Sequence, residues 1–377
     1  MPKKGANRPA TITTRNKNSL VEKQYRLHML KNVVKRTGLL LFLILLCIIF
    51  PIANGRAMSL NWASPTTRDL SSVFMVSGSD GWAVGSVGAI LRWNGTDWNT
   101  FSGPTGTRLN SVYMTSSSSG WVVGNYGLII RWNGTAWNTV TSPTTYSLVS
   151  VYMVSSSDGW IVGTYGTILR WNGTAWNIVT SPTASWLSSV FMVSSTNGWA
   201  VGDQGTIIRW DGTHWSSASS PTTSWLNSVN MVSSGNGWAV GINGAIIHWD
   251  GTHWSSVASP TAEYLLSVDM VSSTNGWAVG DSGTIIRWNG TSWDSVASPT
   301  AQFYYSVCMV NATDGWAVGD FGTIIRWSGT AGQWIPEFST AGFILLLIII
   351  TVVPVLIFRR KRSCEDGLRE TSPLYHW

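Results

Sequence analysis

Short apolar stretches alternate with glycine and small polar residues through most of the chain, and the pattern repeats every 39 residues. Its clearest marker is a Gly-Trp pair, with tryptophans at Trp82, Trp121, Trp160, Trp199, Trp238, Trp277 and Trp316. The unit reads approximately SPTxxxLxSVxMVSSxxGWAVGxxGTIIRWNGTxWxxVx. Four short β segments in each of seven such units predict an all-β fold, a seven-bladed β-propeller. An open β-solenoid fits less well, because its rungs are shorter and lack four hairpin strands.

In the first unit the four predicted strands are Ser71–Val76, Gly81–Val84, Ala89–Trp93 and Trp98–Ser102, each rich in β-branched or aromatic residues. The last two are separated by Asn94-Gly95, which predicts a type I′ hairpin turn because both residues tolerate positive φ. The proline of each SPT triplet is expected to end the fourth strand.

The ring needs a closing strand, because the seventh unit loses its pattern after Trp327. Ser59–Ser64 (SLNWAS) resembles an orphan fourth strand and is followed by Pro65-Thr66, as in the other units. We therefore expect residues 59–335 to form the propeller, with Ser59–Ser64 paired to the third strand of the seventh unit. Both chain ends would then leave from the face opposite the blade-joining loops, which would point away from any membrane.

Two uncharged apolar runs flank the repeats. Residues 341–358 form an eighteen-residue run followed directly by Arg-Arg-Lys-Arg, which predicts a transmembrane helix. The run from residue 38 to residue 52 is shorter, so residues 38–54 are either a signal anchor or a cleaved signal peptide. Positive charge outside both runs predicts a plasma-membrane protein with an extracellular propeller and cytoplasmic tails, residues 1–37 and 359–377.

The net charge of +6 is concentrated in the tails. Residues 1–37 carry ten Lys and Arg against one Glu, whereas residues 53–340 carry nine Arg, no Lys and fourteen acids. A nucleic-acid partner is therefore not expected, since it needs a basic face on the folded domain.

The sequence predicts no metal site, cofactor or disulfide framework. Cys47, Cys308 and Cys364 are scattered, and His214 and His253 lack metal-ligand spacing. Single carboxylates in the Gly-Asp-x-Gly turns favour turn stabilisation over calcium binding. Those carboxylates belong to Asp203, Asp281 and Asp320.

Variation among the seven units marks the candidate binding residues. The unvarying Gly and Trp serve the fold, whereas the blade-joining loop and the Gly-x-x-Gly turn vary, and a propeller places both on one face. The loops offer Arg108, Trp186, Trp225, Tyr264 and Phe303, and the turns offer Tyr126, Tyr165 and Phe321. Rigid aromatic side chains on loops suit stacking on sugars or anchoring a protein, although packing between blades is an equally simple role.

Two further sets of residues recur with the repeat. Six arginines share one third-strand position, where a packed stem with a solvated head is favoured over a ligand ring. They are Arg92, Arg131, Arg170, Arg209, Arg287 and Arg326, with His248 in the remaining unit. Five Asn-x-Ser/Thr sequons are candidate glycosylation sites in an exported domain, although Asn-Gly also serves the turn. They are Asn94, Asn133, Asn172, Asn289 and Asn311.

The run GWAVGxxGTIIRWNGTxW resembles BNR/Asp-box-like propellers, especially the photosystem II assembly/stability factor family. The resemblance covers residues 59–335 and implies the propeller fold; the hairpin turn lacks the Asp and paired Gly of a full Asp box. Ile335-Pro336-Glu337-Phe338, with the apolar run and basic cluster that follow, is similar to the PEF-type sorting signal of archaeal surface proteins.

Two functions remain. The favoured one is a membrane-anchored, non-enzymatic module that binds or scaffolds a protein or an envelope glycan. The alternative is a sialidase-like glycoside hydrolase, because BNR repeats also occur in sialidases. That chemistry needs a carboxylate pair or a Tyr–Glu nucleophile with an acid. Only Glu263, next to Tyr264, and the acids Asp69 and Asp269 come near this pattern.

Overall fold

The structure, a computed structural model, describes residues 64–337. Seven four-stranded antiparallel sheets follow one another along these residues, each with its strands in chain order. The predicted seven-bladed propeller is therefore confirmed. The apolar runs at 38–52 and 341–358, and both tails, lie outside the described residues. Between residues 64 and 337, no helix has the length and apolar character needed to cross a membrane.

The strands keep the same bounds from blade to blade, and blades 1–7 are numbered along the chain. The first strands are Leu70–Ser77, Leu109–Ser116, Leu148–Ser155, Leu187–Ser194, Leu226–Ser233, Leu265–Ser272 and Tyr304–Asn311. The second strands are Asp80–Gly85, Ser119–Gly124, Asp158–Gly163, Asn197–Gly202, Asn236–Gly241, Asn275–Gly280 and Asp314–Gly319.

The outer half of each blade is shorter. The third strands are Ile90–Trp93, Ile129–Trp132, Ile168–Trp171, Ile207–Trp210, Ile246–Trp249, Ile285–Trp288 and Ile324–Ser328. The fourth strands are Trp98–Thr100, Trp137–Val140, Trp176–Ile178, Trp215–Ser217, Trp254–Ser256, Trp293–Ser295 and Gln333–Pro336. Short 3₁₀ turns join second to third strands at Ser86–Gly88, Asn125–Gly127, Thr164–Gly166, Asp203–Gly205, Ile242–Gly244, Asp281–Gly283 and Asp320–Gly322.

Tryptophan forms the contact between neighbouring blades. Trp160, on the second strand of blade 3, lies 4.7 Å from Trp210 and 5.3 Å from Trp215 of blade 4, with the Trp215 ring nearly perpendicular at 86°. Such edge-to-face pairs bury large apolar rings in a specific geometry. One tryptophan from one blade and two from the next thus explain why three tryptophans recur in each unit.

The predicted closing strand is wrong. The third strand of blade 7 pairs with Gln333–Pro336, so Ser59–Ser64 cannot occupy that position. The turn before this strand is two residues longer than in the other units, which moves Trp334 out of the 39-residue register. Trp334 nevertheless fills the fourth-strand position, 5.4 Å from Trp277 and at 89° to it.

Blade 7 therefore closes on blade 1 through the same tryptophan contact that joins the other blades. Trp316 lies 4.6 Å from Trp93 and 5.3 Å from Trp98, as in the other tryptophan groups. A ring of serine hydroxyls also continues across this seam. The backbone N–H of Val73 donates to Ser306 Oγ at 3.2 Å, just as that of Val112 donates to Ser72 Oγ. The ring is thus closed by packing and hydrogen bonds between blades 7 and 1, and blade 7 takes no strand from the N-terminal side of the propeller.

The predicted type I′ hairpin is also wrong. Gly95 has a φ of 97°, but Asn94 is not among the residues with positive φ, as a type I′ turn would require. Asn94 instead caps a four-residue turn with its side chain. Its Oδ1 accepts hydrogen bonds from Thr96 N, Thr96 Oγ1 and Asp97 N at 2.8–2.9 Å. Asp211 makes the same bonds in blade 4, which explains why Asn and Asp interchange there.

Candidate functional site

The turns between second and third strands and the loops between blades lie on the same face of the propeller, here called the loop face. In blade 4 the backbone N–H of Asp203 donates to the carbonyl of Trp186 at 2.9 Å, which ties the turn to the preceding loop. The contact is close, since a Cβ on Gly202 would meet that same carbonyl. Glycine at this position therefore lets every loop rest on its turn.

The second residue of each turn is held in the left-handed region, with φ between 52° and 58°. This conformation is unfavourable for residues other than Gly, Asn and Asp, and most of all for β-branched or bulky side chains. In blades 4, 5 and 6 the position holds Gln204, Asn243 and Ser282. In blades 7, 1, 2 and 3 it holds Phe321, Val87, Tyr126 and Tyr165. Four consecutive blades thus keep a large apolar side chain in a strained position.

Exposed large apolar side chains are concentrated on the loop face. Of the nine such residues between residues 64 and 337, only Ile178 lies elsewhere, on a fourth strand. The other eight are Val87, Tyr126, Tyr146, Tyr165, Trp186, Tyr264, Phe303 and Phe321. Packing of one blade on the next therefore does not account for these side chains, and binding is the simpler explanation.

The loop face carries two arcs of large side chains. The turn arc consists of Phe321, Val87, Tyr126 and Tyr165, which are 68%, 57%, 80% and 72% exposed. The loop arc consists of Trp186, Trp225, Tyr264 and Phe303, on the loops that lead into blades 4, 5, 6 and 7. Together the two arcs place a large apolar side chain on every blade, and blade 7 contributes to both.

The two tryptophans of the loop arc form a pair. The Trp186 and Trp225 rings lie 5.3 Å apart at 63°, and Trp225 Nε1 donates to Ser188 Oγ at 2.7 Å. Trp225 is the more buried of the two, and its hydrogen bond fixes the ring against which Trp186 packs. A rigid aromatic pair with little conformational freedom to lose is typical of a binding anchor.

Carboxylates accompany the loop arc. The turns of blades 4, 6 and 7 begin with Asp203, Asp281 and Asp320, whereas those of blades 1–3 begin with Ser86, Asn125 and Thr164. Burial, reinforced by the nearby charges of Glu263 and Asp320, raises the pKa of Asp281.

Hydrogen bonds hold two carboxylates in fixed positions, Asp320 on blade 7 and Asp69 on the loop that leads from this blade into blade 1. Asp320 Oδ1 accepts a hydrogen bond from Tyr305 Oη at 2.6 Å, and Asp69 Oδ1 accepts one from the backbone N–H of Phe321 at 3.1 Å. Arg108 lies close enough to Tyr305 to lower the pKa of that phenol, although burial and Asp320 together raise it. The loop-arc half of the face is therefore acidic.

Both ends of the described chain lie on the loop face, which contradicts the predicted orientation. The carbonyl oxygen of Thr66 lies against Gly322 of blade 7, just as that of Thr105, in the loop between blades 1 and 2, lies against Gly88. Ser64–Asp69 therefore occupies the position of a blade-joining loop. At the other end the N–H of Glu337 donates to Ile324 O, at the loop-face end of its strand. The prediction failed because it assigned the fourth strand of blade 7 to Ser59–Ser64.

A cavity of about 500 Å³ opens beside this seam, between residues 64–68 and the third strand of blade 1.

The opposite face, here called the hairpin face, is made of polar turns. The five sequon asparagines lie there and are exposed: Asn94, Asn133, Asn172, Asn289 and Asn311. Their Oδ1 atoms stabilise turns, as in Asn311, which accepts from Thr313 N at 2.8 Å. The hydrogen bonding of Nδ2, the atom to which a glycan would be attached, differs among them: Asn289 Nδ2 donates to Asp294 at 2.6 Å. His214 and His253 are exposed turn residues on this face, each beside an aspartate.

The third-strand arginines pack on tryptophan, as the packing interpretation predicted. Arg92 lies 5.1 Å from the ring of Trp82 in its own blade and 5.8 Å from that of Trp132 in the next. Its Nε also bonds Asp80 at 3.2 Å. A cation over an aromatic ring is stabilising, and here it spans two blades. In blade 5 the His248 ring takes the same place, 4.4 Å from Trp238.

Two tyrosines belong to a row of aromatic rings on the wall of the propeller's central tunnel. The rings of Phe74, Tyr113, Tyr152 and Phe191 contact one another in sequence at 4.6–4.8 Å around the first strands of blades 1–4. Burial raises the pKa of Tyr113 and Tyr152, and Cys308 adds to the rise for Tyr113 as Asp269 does for Tyr152.

The remaining three blades place polar residues at this level. Asp269 accepts hydrogen bonds from Asn230 Nδ2 at 2.9 Å and from Met309 N at 2.6 Å, and burial raises its pKa to about 6. Burial raises the pKa of the Cys308 thiol to about 12, which makes it unreactive. These side chains bond the neighbouring blade, so their role is structural.

The residues considered for glycoside hydrolysis are not arranged as a catalytic pair. Glu263 and Tyr264 are exposed on a blade-joining loop. Asp269 lies on the tunnel wall with both carboxylate oxygens bonded, and Asp69 is engaged by the turn of blade 7. Within residues 64–337 no three potential metal-ligating side chains come together.

Tyr146 and Val87 belong to the site but were missed by comparison of the repeats. Tyr146 stands one residue before the compared loop position, held by Ser147 in that blade, yet its ring lies 5.0 Å from that of Tyr165. Val87 is the only aliphatic residue at the second turn position, so the aromatic residues that mark this position in blades 2, 3 and 7 did not indicate it. Scanning one residue to either side of each variable position would have found Tyr146.

No family model and no curated protein matches this chain. Solved structures do match it, at low identity. A structure described as YCF48 bound to D1 peptide is 18% identical, covering 74% of this chain and 99% of its own, with a TM-score of 0.61. YCF48 from Cyanidioschyzon merolae is 16% identical, covering 71% and 97%, with a TM-score of 0.60. The WD40 propeller domain of Doa1 is 18% identical, covering 70% and 94%, with a TM-score of 0.59. Likeness at this level of identity concerns the fold alone.

Proposed function

We propose that this protein is a membrane-anchored, extracytoplasmic binding module, without enzymatic activity, that docks a protein partner on the loop arc. The observation that carries the proposal is the concentration of exposed aromatic residues on one face. A soluble monomer seldom exposes large apolar side chains together, and such patches mark interaction sites. The apolar runs at 38–52 and 341–358 support the anchoring, and the polar hairpin-face turns are suited to exposure to water.

The chemistry of the loop arc indicates the kind of partner. Trp186 and Trp225 offer a paired aromatic anchor, and Asp203, Asp281 and Glu263 surround that half of the face with negative charge. A segment with apolar or aromatic side chains and several Lys or Arg residues would complement both features. That a structure with the same fold is described as bound to a peptide agrees with a protein ligand more than with a glycan.

Photo-crosslinking in intact cells tests this proposal. Benzoylphenylalanine replaces Tyr264 in the full chain, and Ala136, exposed on the hairpin face, is the matched control position. We expect one discrete protein adduct from position 264, none from position 136, and loss of the adduct when Trp186→Ala and Trp225→Ala are added. Adducts of equal strength at both positions would contradict the proposal, as would adducts at position 264 with glycan alone.

A further inference from the structure

The loop face is also the face from which the chain leaves toward its apolar runs. Glu337 ends the described residues at the loop-face end of blade 7, and Ser64 begins them beside the same seam between blades 7 and 1. The apolar run that starts at residue 341 is four residues beyond Glu337. Four extended residues reach at most about 14 Å. If that run spans a bilayer, the seam must lie within this distance of the hydrocarbon.

The turn arc lies around this seam. Phe321 is on blade 7 and Val87 on blade 1, the two blades that form the seam, and Tyr126 and Tyr165 continue the arc on blades 2 and 3. The equivalent residues on blades 4–6, which lie opposite the middle of the arc, are all polar. The exposed apolar side chains of the strained turns are therefore placed where the chain leaves the propeller.

Charge divides the face in the same way. The turns of blades 1–3 begin with uncharged residues, and Arg68 and Arg108 lie on the loops that lead into blades 1 and 2, with Arg68 Nη1 donating to Val87 O at 2.9 Å. Most carboxylates of the loop face gather toward blades 4–7 instead, while Asp69, on the loop into blade 1, accepts a hydrogen bond from Phe321 N. Tyrosine and arginine suit the headgroup region of a bilayer, whereas carboxylates avoid its phosphates.

We infer that the turn arc rests in the headgroup region of the bilayer, so that the propeller stands tilted on the edge formed by blades 1 and 2, beside the chain ends, with its acidic half raised. This inference depends on the membrane anchoring in the proposed function, but not on its protein partner. Tilting leaves the loop arc open beside the membrane surface. A partner that binds there would do so through a segment close to the bilayer.

Strain at the turn arc supports a role outside the fold. A left-handed turn position favours Asn, as blade 5 shows with Asn243, and the fold also accepts the polar residues Ser282 and Gln204 there. Bulky residues at such positions oppose stability, and strained backbone of this kind is found where function requires it. Contact with lipid gives the four large side chains a purpose that packing does not, because more than half of each is exposed.

Lipid crosslinking tests the inference on the full chain. The protein is reconstituted into vesicles of phosphatidylcholine that contain a fraction of alkyne-tagged phosphatidylcholine, with benzoylphenylalanine at Tyr126 or Tyr165. Position 243 is the matched control, since Asn243 occupies the same turn with a φ of 56° on the far side of the ring. Ala136 reports on the hairpin face of blade 2, the blade that carries Tyr126.

We expect lipid adducts at positions 126 and 165 that exceed those at position 243 several-fold, and only background at position 136. Equal labelling at 126 and 243 would overturn the tilt, and labelling at 136 equal to that at 126 would overturn the orientation. Release of the protein from the vesicles at alkaline pH would overturn the anchoring and the inference together. Partner binding is judged separately by the adduct at position 264 in cells, because these vesicles contain no partner.

Discussion

At the scale of single residues, the seven copies act as internal controls for one another. A position filled alike in every blade is explained by packing, such as the tryptophans of the blade contacts or the serines that join neighbouring first strands. A position that departs from its copies needs another reason. The turn arc and Glu337 are two such departures, and each leads to a test in which one blade supplies the reference for another.

The strained turn position gives the first prediction. Val87 has a φ of 53°, whereas the equivalent Asn243 has a φ of 56°. Left-handed backbone costs a residue with a Cβ roughly 1–2 kcal/mol, and a β-branched residue most of all, whereas Asn tolerates it. We expect Val87→Asn to stabilise the propeller by about 1 kcal/mol and Asn243→Val to destabilise it similarly, measured by urea unfolding. Equal and unchanged midpoints for both variants would refute this account of the turn.

Glu337 gives the second prediction. It occupies a position between blades that is apolar elsewhere: Phe101, Val140, Val179, Ala218, Val257 and Val296. Burial raises the pKa of Glu337 to about 7, despite the nearby Arg326. A carboxyl group whose pKa is raised by folding binds its proton more tightly in the folded state. Its contribution is therefore fully present below about pH 4.5 and is lost as the pH rises through about 7.

The stability of wild type should therefore fall between pH 5.5 and pH 7.5, by on the order of 1–2 kcal/mol from this group. Glu337→Gln should remove that part of the decline, and urea midpoints at the two pH values measure it. Asp269, whose burial raises its pKa to about 6, acts in the same direction and remains in the variant as a constant background. A decline of the same size in Glu337→Gln would show that Glu337 does not titrate in this range.

At the scale of elements, the sequence was most informative where the repeat was regular. The spacing of Trp82, Trp121 and their copies predicted the number of blades and strands, because each copy has to fill the same space between two blades. It failed where the register changed. Two extra residues before Trp334 hid the last strand, and the side-chain hydrogen bonds of Asn94 replaced the expected backbone turn. Such local alternatives depend on three-dimensional contacts that spacing does not encode.

The glycine at the end of the second strand gives a prediction at this scale. A Cβ on Gly202 would meet the carbonyl oxygen of Trp186, a backbone atom that cannot rotate away. We expect Gly202→Ala to cost about 2–3 kcal/mol and to displace the loop that holds Trp186. Gly106→Ala is the control, since a Cβ there would meet nothing within 4 Å. Unfolding midpoints measure the cost, and a small effect at Gly202 would show that the loop does not rest tightly on its turn.

At the scale of the whole molecule, the path of the chain determines the orientation of the faces. A closing strand taken from the N-terminal side would have sent both ends out through the hairpin face. Because Gln333–Pro336 completes blade 7, both ends leave through the loop face instead. The candidate binding residues could be read from the variation among repeats, but their relation to the chain ends required the structure.

Ring closure can be tested by two truncations. A chain that begins at residue 64 lacks the predicted closing segment but keeps every described strand, and we expect its stability to match that of a chain that begins at residue 59. A chain that ends at residue 331 loses Trp334, which is 3% exposed, and should be weakened by at least about 3 kcal/mol. Thermal and urea unfolding report both. The reverse result, with loss of residues 59–63 the more damaging, would restore the closing strand.

The central claim is that the loop face is a binding surface whose strongest anchor is the tryptophan pair of the loop arc. The most direct measurement is the affinity of the crosslinked partner for the wild-type propeller and for the variant that combines Trp186→Ala and Trp225→Ala, with unfolding midpoints measured in parallel. Loss of two aromatic anchors should weaken binding by about 100-fold or more, while the midpoint changes little. A dissociation constant that stays near that of wild type in a folded variant would contradict the claim.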